Sequence, residues 1–234
     1  TPSGLTIDAS TGTIDLSAST AATYDVTYTP PAIEQLGSDI DGVANTDEFG
    51  FSVSMSNDGN RMVIGALYDD TPGSNAGSVE VYEYSSGSWT KMGSTINGAA
   101  SGDFFGWSVS MNGAGTRIVA GANYNDGNGS NSGHARVFDW NGTTWTQVGA
   151  DINGEAADDR FGYTVSMNNT GDRIVVGALN NDGGGTNLGH ARVFDWNGSS
   201  WTQVGADING EAADDYFGNS VSMNDAGDRI IVGA

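Results

Sequence analysis

Residues 161–167, FGYTVSM, alternate apolar with small or polar side chains, the period-two pattern of a strand with one covered face. After the turn sequence NNTGD comes RIVVGA (173–178), a nearly continuous apolar run that predicts a strand covered on both faces. A Gly- and Asn-rich loop, LNNDGGGTNLG (179–189), leads to HARVFDW (190–196), where Ala191, Val193 and Asp195 alternate with Arg192, Phe194 and Trp196. Asn197–Gly198 predicts a type I′ hairpin. WTQVGADI (201–208) then predicts a fourth strand, ahead of an acidic connector, NGEAADD.

That pattern recurs every 56 residues without an insertion or deletion. Phe49, Phe105, Phe161 and Phe217 mark the period, each followed by Gly. So do Met55, Met111, Met167 and Met223, and Arg61, Arg117, Arg173 and Arg229. Trp89, Trp145 and Trp201 share a column, with Ile33 one period earlier. A fixed period of this size predicts units that bury their faces only against neighbours, as in propellers and solenoids. Four antiparallel strands per period describe a propeller blade, and the fold class expected is all-β. The repeat is entered at Ile33 in its fourth strand and left at Ala234 after its second, so two strands stand over.

Residues 1–30 lack the FG motif. They alternate with period two between Ser/Thr-rich turns, and resemble the closing strands of bacterial Ig-like or cadherin-like domains. Pro30–Pro31 is the expected boundary, with the repeats running from 31 to 234.

Composition narrows the partners. Gly is abundant (36) and Pro scarce (4), which suits short strands joined by tight turns. The 29 acids against 8 bases give a net charge of −21, a field that repels phosphate backbones and anionic lipid, so nucleic acid is not an expected partner. No apolar run is long enough to span a bilayer as a helix. With no Cys, a disulfide framework and zinc–thiolate sites are excluded.

The blocks WTQVGADINGEAADDRFGYTVSMNNTGDRIVVGA and GHARVFDW resemble FG-GAP repeats, the units of the integrin α-subunit N-terminal β-propeller, in the variety found in bacterial and marine extracellular proteins. The resemblance covers roughly residues 33–234. It implies a propeller of seven blades with ligand contacts on one rim, and an extracellular or cell-surface location. Seven blades at this period need more chain, which leaves three routes to completion. Further blades on a longer polypeptide are one, and an open arc completed by another chain is the second. The third is a small ring in which Tyr24 to Ile40 supply the strands missing from the last half-blade. An open arc would leave strand edges for homo-assembly.

The resemblance also implies calcium in a DxDxDGxxD loop between the first two strands of a blade, where alternating acids offer the six to eight oxygens Ca²⁺ takes. Here those turns read SNDGNR (56–61), NGAGTR (112–117), NNTGDR (168–173) and NDAGDR (224–229), too short for that pattern. They read as Asx-type turns with a Gly at positive φ, and Asp172 and Asp228 stand ready to pair with Arg173 and Arg229. The loop between strands two and three is the better calcium candidate. Its aligned columns are Asp69, Asn125 and Asn181; Asp70, Asp126 and Asp182; and Asn75, Asn131 and Asn187. Those side chains either assemble a weak calcium site or only close a tight loop. The acids Asp47, Asp103, Asp159 and Asp215, each two residues before the FG Phe, either cap backbone amides or line a rim.

No catalyst is expected. His134 and His190 share one column, which points to a structural role in each blade. No GxSxG, HExxH or phosphate loop occurs. DWNGTTW resembles the Asp-box turn of sialidase propellers with the Asp displaced by one. Trp89, Trp145 and Trp201, with Trp140 and Trp196, either pack between blades or stack on sugars. Sequons stand at Asn128, Asn141, Asn168 and Asn197. The function expected is therefore a non-enzymatic extracellular module for surface attachment or appendage assembly, whose partners are other protein chains or surface glycans. A carbohydrate- or calcium-dependent binding propeller and a self-assembling filament subunit are the alternatives.

Overall fold

The structure, a computed structural model, describes the backbone of Thr6–Ile7 and Ile14–Asp15, together with residues 34–71 and 73–234. The chain divides into two compact units, Thr1–Gln35 and Leu36–Ala234. In the first, β1 (Thr6–Ile7) pairs antiparallel with β2 (Ile14–Asp15). The reading of 1–30 as the end of an Ig-like or cadherin-like domain, with its boundary at Pro30–Pro31, otherwise lies outside the described residues.

The second unit is all-β among its described residues, built of strands whose ranges follow the 56-residue period. The first blade holds β3 (Phe49–Met55), β4 (Arg61–Ala66), β5 (Ser78–Ser85), β6 (Ser88–Lys91) and β7 (Ile96–Asn97). The second holds β8 (Ser108–Met111), β9 (Arg117–Ala122), β10 (His134–Trp140), β11 (Trp145–Gln147) and β12 (Ile152–Asn153). The third holds β13 (Phe161–Met167), β14 (Arg173–Ala178), β15 (His190–Trp196), β16 (Trp201–Gln203) and β17 (Ile208–Asn209). A half-blade follows, β18 (Ser220–Met223) paired with β19 (Ile230–Gly233). Within each full blade the first four strands pair antiparallel in chain order, and the short fifth pairs with the third. Because neighbours in sequence are neighbours in the sheet, short turns suffice to build it.

The cores lie between blades, not within them. Val63, Val79 and Val81 of the first blade pack on Phe105, Val109, Met111 and Ile118 of the second. Val119, Ala135 and Val137 face Phe161, Val165, Met167 and Ile174 in the same way, and Val175 and Ala191 face Met223. Successive residues of the inner strands therefore serve alternate seams, which is why RIVVGA is apolar throughout.

At each seam the backbones approach too closely for any side chain. A Cβ on Gly65, Gly121 or Gly177 would fall on the carbonyl oxygen of Gly106, Gly162 or Gly218, the FG glycine of the next blade. Those FG glycines adopt φ of 87 to 93°, a left-handed conformation that glycine enters freely. The amides of Gly106 and Gly218 donate to the carbonyls of Gly121 and Gly233, closing the FG turn on its own blade's second strand.

Polar stitches repeat with the same offsets. Ser52, Ser108 and Thr164 hydroxyls donate to the carbonyls of Gly106, Gly162 and Gly218. Arg61, Arg117 and Arg173 pair with Glu83, Asp139 and Asp195 on their own third strands, and donate to Gly115, Gly171 and Gly227 carbonyls of the next blade. The expected pairing of Arg173 with Asp172 is thus replaced by a cross-strand one. Register places Asp195 opposite Arg173, while Asp172 accepts from Asn168 and Thr170.

Two further expectations change. The fourth strand is interrupted at 204–207, where Gly205 has φ 75°; β16 pairs with one end of β15 and β17 with the other. Asn197–Gly198 is not a type I′ turn. Trp196 pairs with Trp201, leaving four loop residues, and Asn197 Oδ1 closes them by accepting the Ser199 and Ser200 amides. The two-residue turn with positive φ at both positions occurs instead at Ser86–Gly87.

Among the described residues the blades do not close a ring. Among those residues β19 pairs with β18 alone, and residues 24–33, on which the small-ring reading rests, lie outside them. Leu36 instead accepts the Trp89 indole N–H, the place that Met92 and Val148 of a preceding blade take for Trp145 and Trp201.

Replacing Gly121 with Ala is expected to cost several kcal/mol, roughly 2 to 4, because only backbone movement relieves the clash. Replacing Gly198, whose Cβ would meet nothing within 4 Å, is expected to cost about 1 kcal/mol from its φ alone. Urea unfolding of both variants compares them; equal losses would contradict the seam argument.

Candidate functional site

The loops between the second and third strands and the acidic connectors lie against each other at one end of the blades. Asn75, Asn131 and Asn187 sit at φ of 47 to 52°, a left-handed conformation that Asn tolerates better than most residues. Their backbone amides donate to Oδ1 of Asp70, Asp126 and Asp182. Asn131 and Asn187 side chains reach across to Asp158 and Asp214 of the connector into the next blade. Backbone bonds from Phe105, Phe161 and Phe217 to Ala76, Ser132 and Leu188 run along the same seam.

The first column divides the blades. Asn125 and Asn181 each accept a loop amide through Oδ1 and donate through Nδ2, at 3.0 Å, to Asp103 and Asp159. Those acids are buried and also cap the Ala100 and Ala156 amides. In the second and third blades the candidate column is therefore a satisfied loop, with one carboxylate per loop already holding its own turn. Such a donor set does not fit a calcium ion.

In the first blade Asp69 takes the place of the amide and faces buried Asp47. Burial first, then the Asp69 and Asp70 charges, holds the Asp47 carboxyl above its ordinary value, against a hydrogen bond from Ala44. Asp69 also accepts from the Thr71 amide and the Ser78 hydroxyl. Asp47, Asp69 and Asp70, with Glu80 and Lys91, line a cleft of about 500 Å³. The first blade thus places three carboxylates in one cleft, with no side-chain amide in the Asp69 position.

The tryptophans sit at the seams. Trp145 and Trp201 indoles donate to Met92 and Val148 carbonyls at 3.1 Å, and each ring packs on its hairpin partner, Trp140 or Trp196.

Sequence reasoning missed a set of buried ionisable groups at the start of the third strand. His134 and His190 are each 1% exposed, and neither ring nitrogen of either has a hydrogen-bond partner. Arg136 and Arg192, two residues on, stack over Phe105 and Phe161 at 4.1 and 4.4 Å and donate to Asn97 and Asn153 carbonyls across the seam. Asp151 lies 3.6 Å from His134 Nδ1. Burial, with the neighbouring arginine, lowers both imidazoles to about 4 against the opposing pull of Asp151 or of Asp207 and Asp159. The recurring His column was the available signal. Its carboxylate partners were hidden because the broken fourth strand brings them in. In the first blade Ser78, Glu80 and Thr95 hold these places. There burial raises Glu80, but bonds from Lys91, Tyr82 and Thr95 outweigh it and hold the carboxyl below its ordinary value.

A family model described as the FG-GAP repeat matches residues 40–82, 95–138 and 153–194. No curated protein matches the chain significantly. Among solved structures, a Bacteroides uniformis protein described as a candidate 6-phosphogluconolactonase aligns at TM-score 0.53 and 10% identity, over 77% of this chain and 46% of that one. Kuenenia stuttgartiensis hydrazine synthase aligns at TM-score 0.50 and 12% identity, over 83% and 45%. The chain thus spans less than half of either, and the likeness is one of fold.

The imidazoles set an acid sensitivity. With His134 near 4 folded and 6.5 unfolded, its neutral form contributes fully above pH 6.5, and stability falls as pH drops from 6.5 towards 4, by up to about 3 kcal/mol. Unfolding free energies at pH 7 and pH 5 should show a smaller drop in H134Q than in the parent chain. Identical drops would refute the assignment.

Proposed function

This chain belongs to the FG-GAP repeat family, and from that premise we propose a non-enzymatic extracellular scaffold that attaches to other protein chains through uncovered blade faces, in surface attachment or appendage assembly. The observation that carries the reading is a contrast within the repeat. Val109 and Met111, and Val165 and Met167, are 6 to 8% exposed beneath the preceding blade, whereas Val53 and Met55 are 66 and 54% exposed, beside Phe51 at 48%. At the other end Ile231 is 72% exposed, in the column where Val63, Val119 and Val175 are fully buried. Burying each such side chain is worth about 1.5–3 kcal/mol, so these faces favour a partner shaped like another blade. A further repeat of a longer polypeptide and a second copy both have that shape. The tryptophans, committed to seam hydrogen bonds, favour protein partners over glycans. The polar groups recur in positions that hold blades together, which supports a role without catalysis.

A second reading rests on the first blade alone. Asp47, Asp69 and Asp70 would hold calcium, and the ion would relieve the repulsion that the second and third blades avoid with an amide.

Sedimentation velocity across a concentration series tests the main reading. Reversible self-association that V53D and M55D abolish without changing the melting curve is the expected outcome, and a monomer at all concentrations would count against exposed-face pairing of this chain.

For the second reading, calcium should raise the melting temperature of the parent chain by a few degrees, and D69N should remove that response. A melting curve indifferent to calcium and chelator would end it.

A further inference from the structure

Glu155, His190 and Asp207 converge in the third blade, their ligating atoms all within 4.8 Å of one another. They come from three places in the chain. Glu155 stands in the connector between β12 and β13, His190 opens β15, and Asp207 closes the interruption between β16 and β17. We propose that these three side chains form a binding site for one divalent first-row transition-metal ion, with Zn²⁺ as its representative.

The strongest support is the imidazole itself. His190 is 1% exposed and both its ring nitrogens lack a partner, which is costly for a buried polar group unless something binds it. The carboxylates have capacity to spare. Glu155 Oε1 accepts from Arg192 and Asp207 Oδ1 from Gln203, one oxygen of each being engaged. Glu155 is half exposed, so the site opens to solvent.

Charge favours a dication despite the nearby arginine. Glu155, Asp207 and Asp159 act on His190 and Arg192, and with the imidazole neutral these groups leave a local charge of −2. Arg192 engages Glu155 through Oε1 alone, its other contacts being the Asn153 carbonyl and the Phe161 ring, which leaves Glu155 Oε2 for the ion. One imidazole and two carboxylates match zinc and its neighbours, since calcium and magnesium prefer oxygen alone. Three protein ligands leave the remaining position to water.

The repeat supplies its own control. In the second blade His134 and Asp151 stand in the same columns, but Ala99 occupies the place of Glu155. In the first, Ser78, Thr95 and Val43 offer no such set. One such site among the described residues follows. An ion there would tie the connector from the second blade to two strands of the third.

The test is titration of the chelator-treated full chain with Zn²⁺ by calorimetry, and with Co²⁺ by visible absorbance. Saturable binding of one equivalent is expected, with E155A and D207A each weakening it at least about tenfold while metal-free melting stays unchanged. Glu155 is exposed and Asp207 partly so, and both substitutions leave the buried histidine in place. A99E should create a second equivalent. Absence of saturable binding, or equal binding in E155A, overturns the proposal; a single equivalent in A99E overturns the claim that the third carboxylate completes the site.

Discussion

Everything in the repeat follows from one close approach. The glycine of VVGA in one blade lies against the carbonyl of the FG glycine in the next, with no room for a methyl group between them. Two motifs that look independent in sequence are two sides of one contact. The FG glycine needs its left-handed φ to present that carbonyl, and the VVGA glycine needs to lack a Cβ to receive it. A change in either moves the whole neighbouring blade, because the packed faces on both sides deform little.

Around that contact the polar groups act as fasteners. Arg61, Arg117 and Arg173 each spend the guanidinium twice, on an acid of their own blade and on a carbonyl of the next. The second column does the converse, reaching back to a carbonyl of the preceding blade while stacking on its own FG phenylalanine. Seams built this way are apolar inside and hydrogen-bonded at both ends. A single blade has neither a core nor satisfied arginines, so stability belongs to the stack.

Much of this was legible in the sequence. The ranges 161–167, 173–178 and 190–196 were read directly from alternation and apolar runs, since local pattern and tertiary burial agree there. Reading failed where a side chain replaces backbone geometry, as at Asn197, whose amide oxygen makes a four-residue loop as tight as a shorter turn. It failed again where partners are set by register, as for Arg173 and Asp195. The Glu155–His190–Asp207 group lay out of reach for a related reason. Its members come together only because the fourth strand breaks, and nothing in WTQVGADI announces a break beyond Gly205.

The first blade shows where the fold leaves freedom. It keeps Gly65, Arg61 and Ser52, the seam residues, yet exchanges histidine, arginine and aspartate for Ser78, Glu80 and Thr95, reversing a buried charge. Lys91 and Tyr82 then satisfy Glu80, and the blade retains its register. Geometry therefore resides in the glycine contact and the first arginine column, while the connectors and the start of the third strand are free to change. The connectors and the loops beside them carry the Asp47–Asp69 pair in one blade and, in different columns, the Glu155–His190–Asp207 group in another. Any chemistry that distinguishes one blade from the next has to be written there, since changes at the seam would unstack the repeat before they created a site.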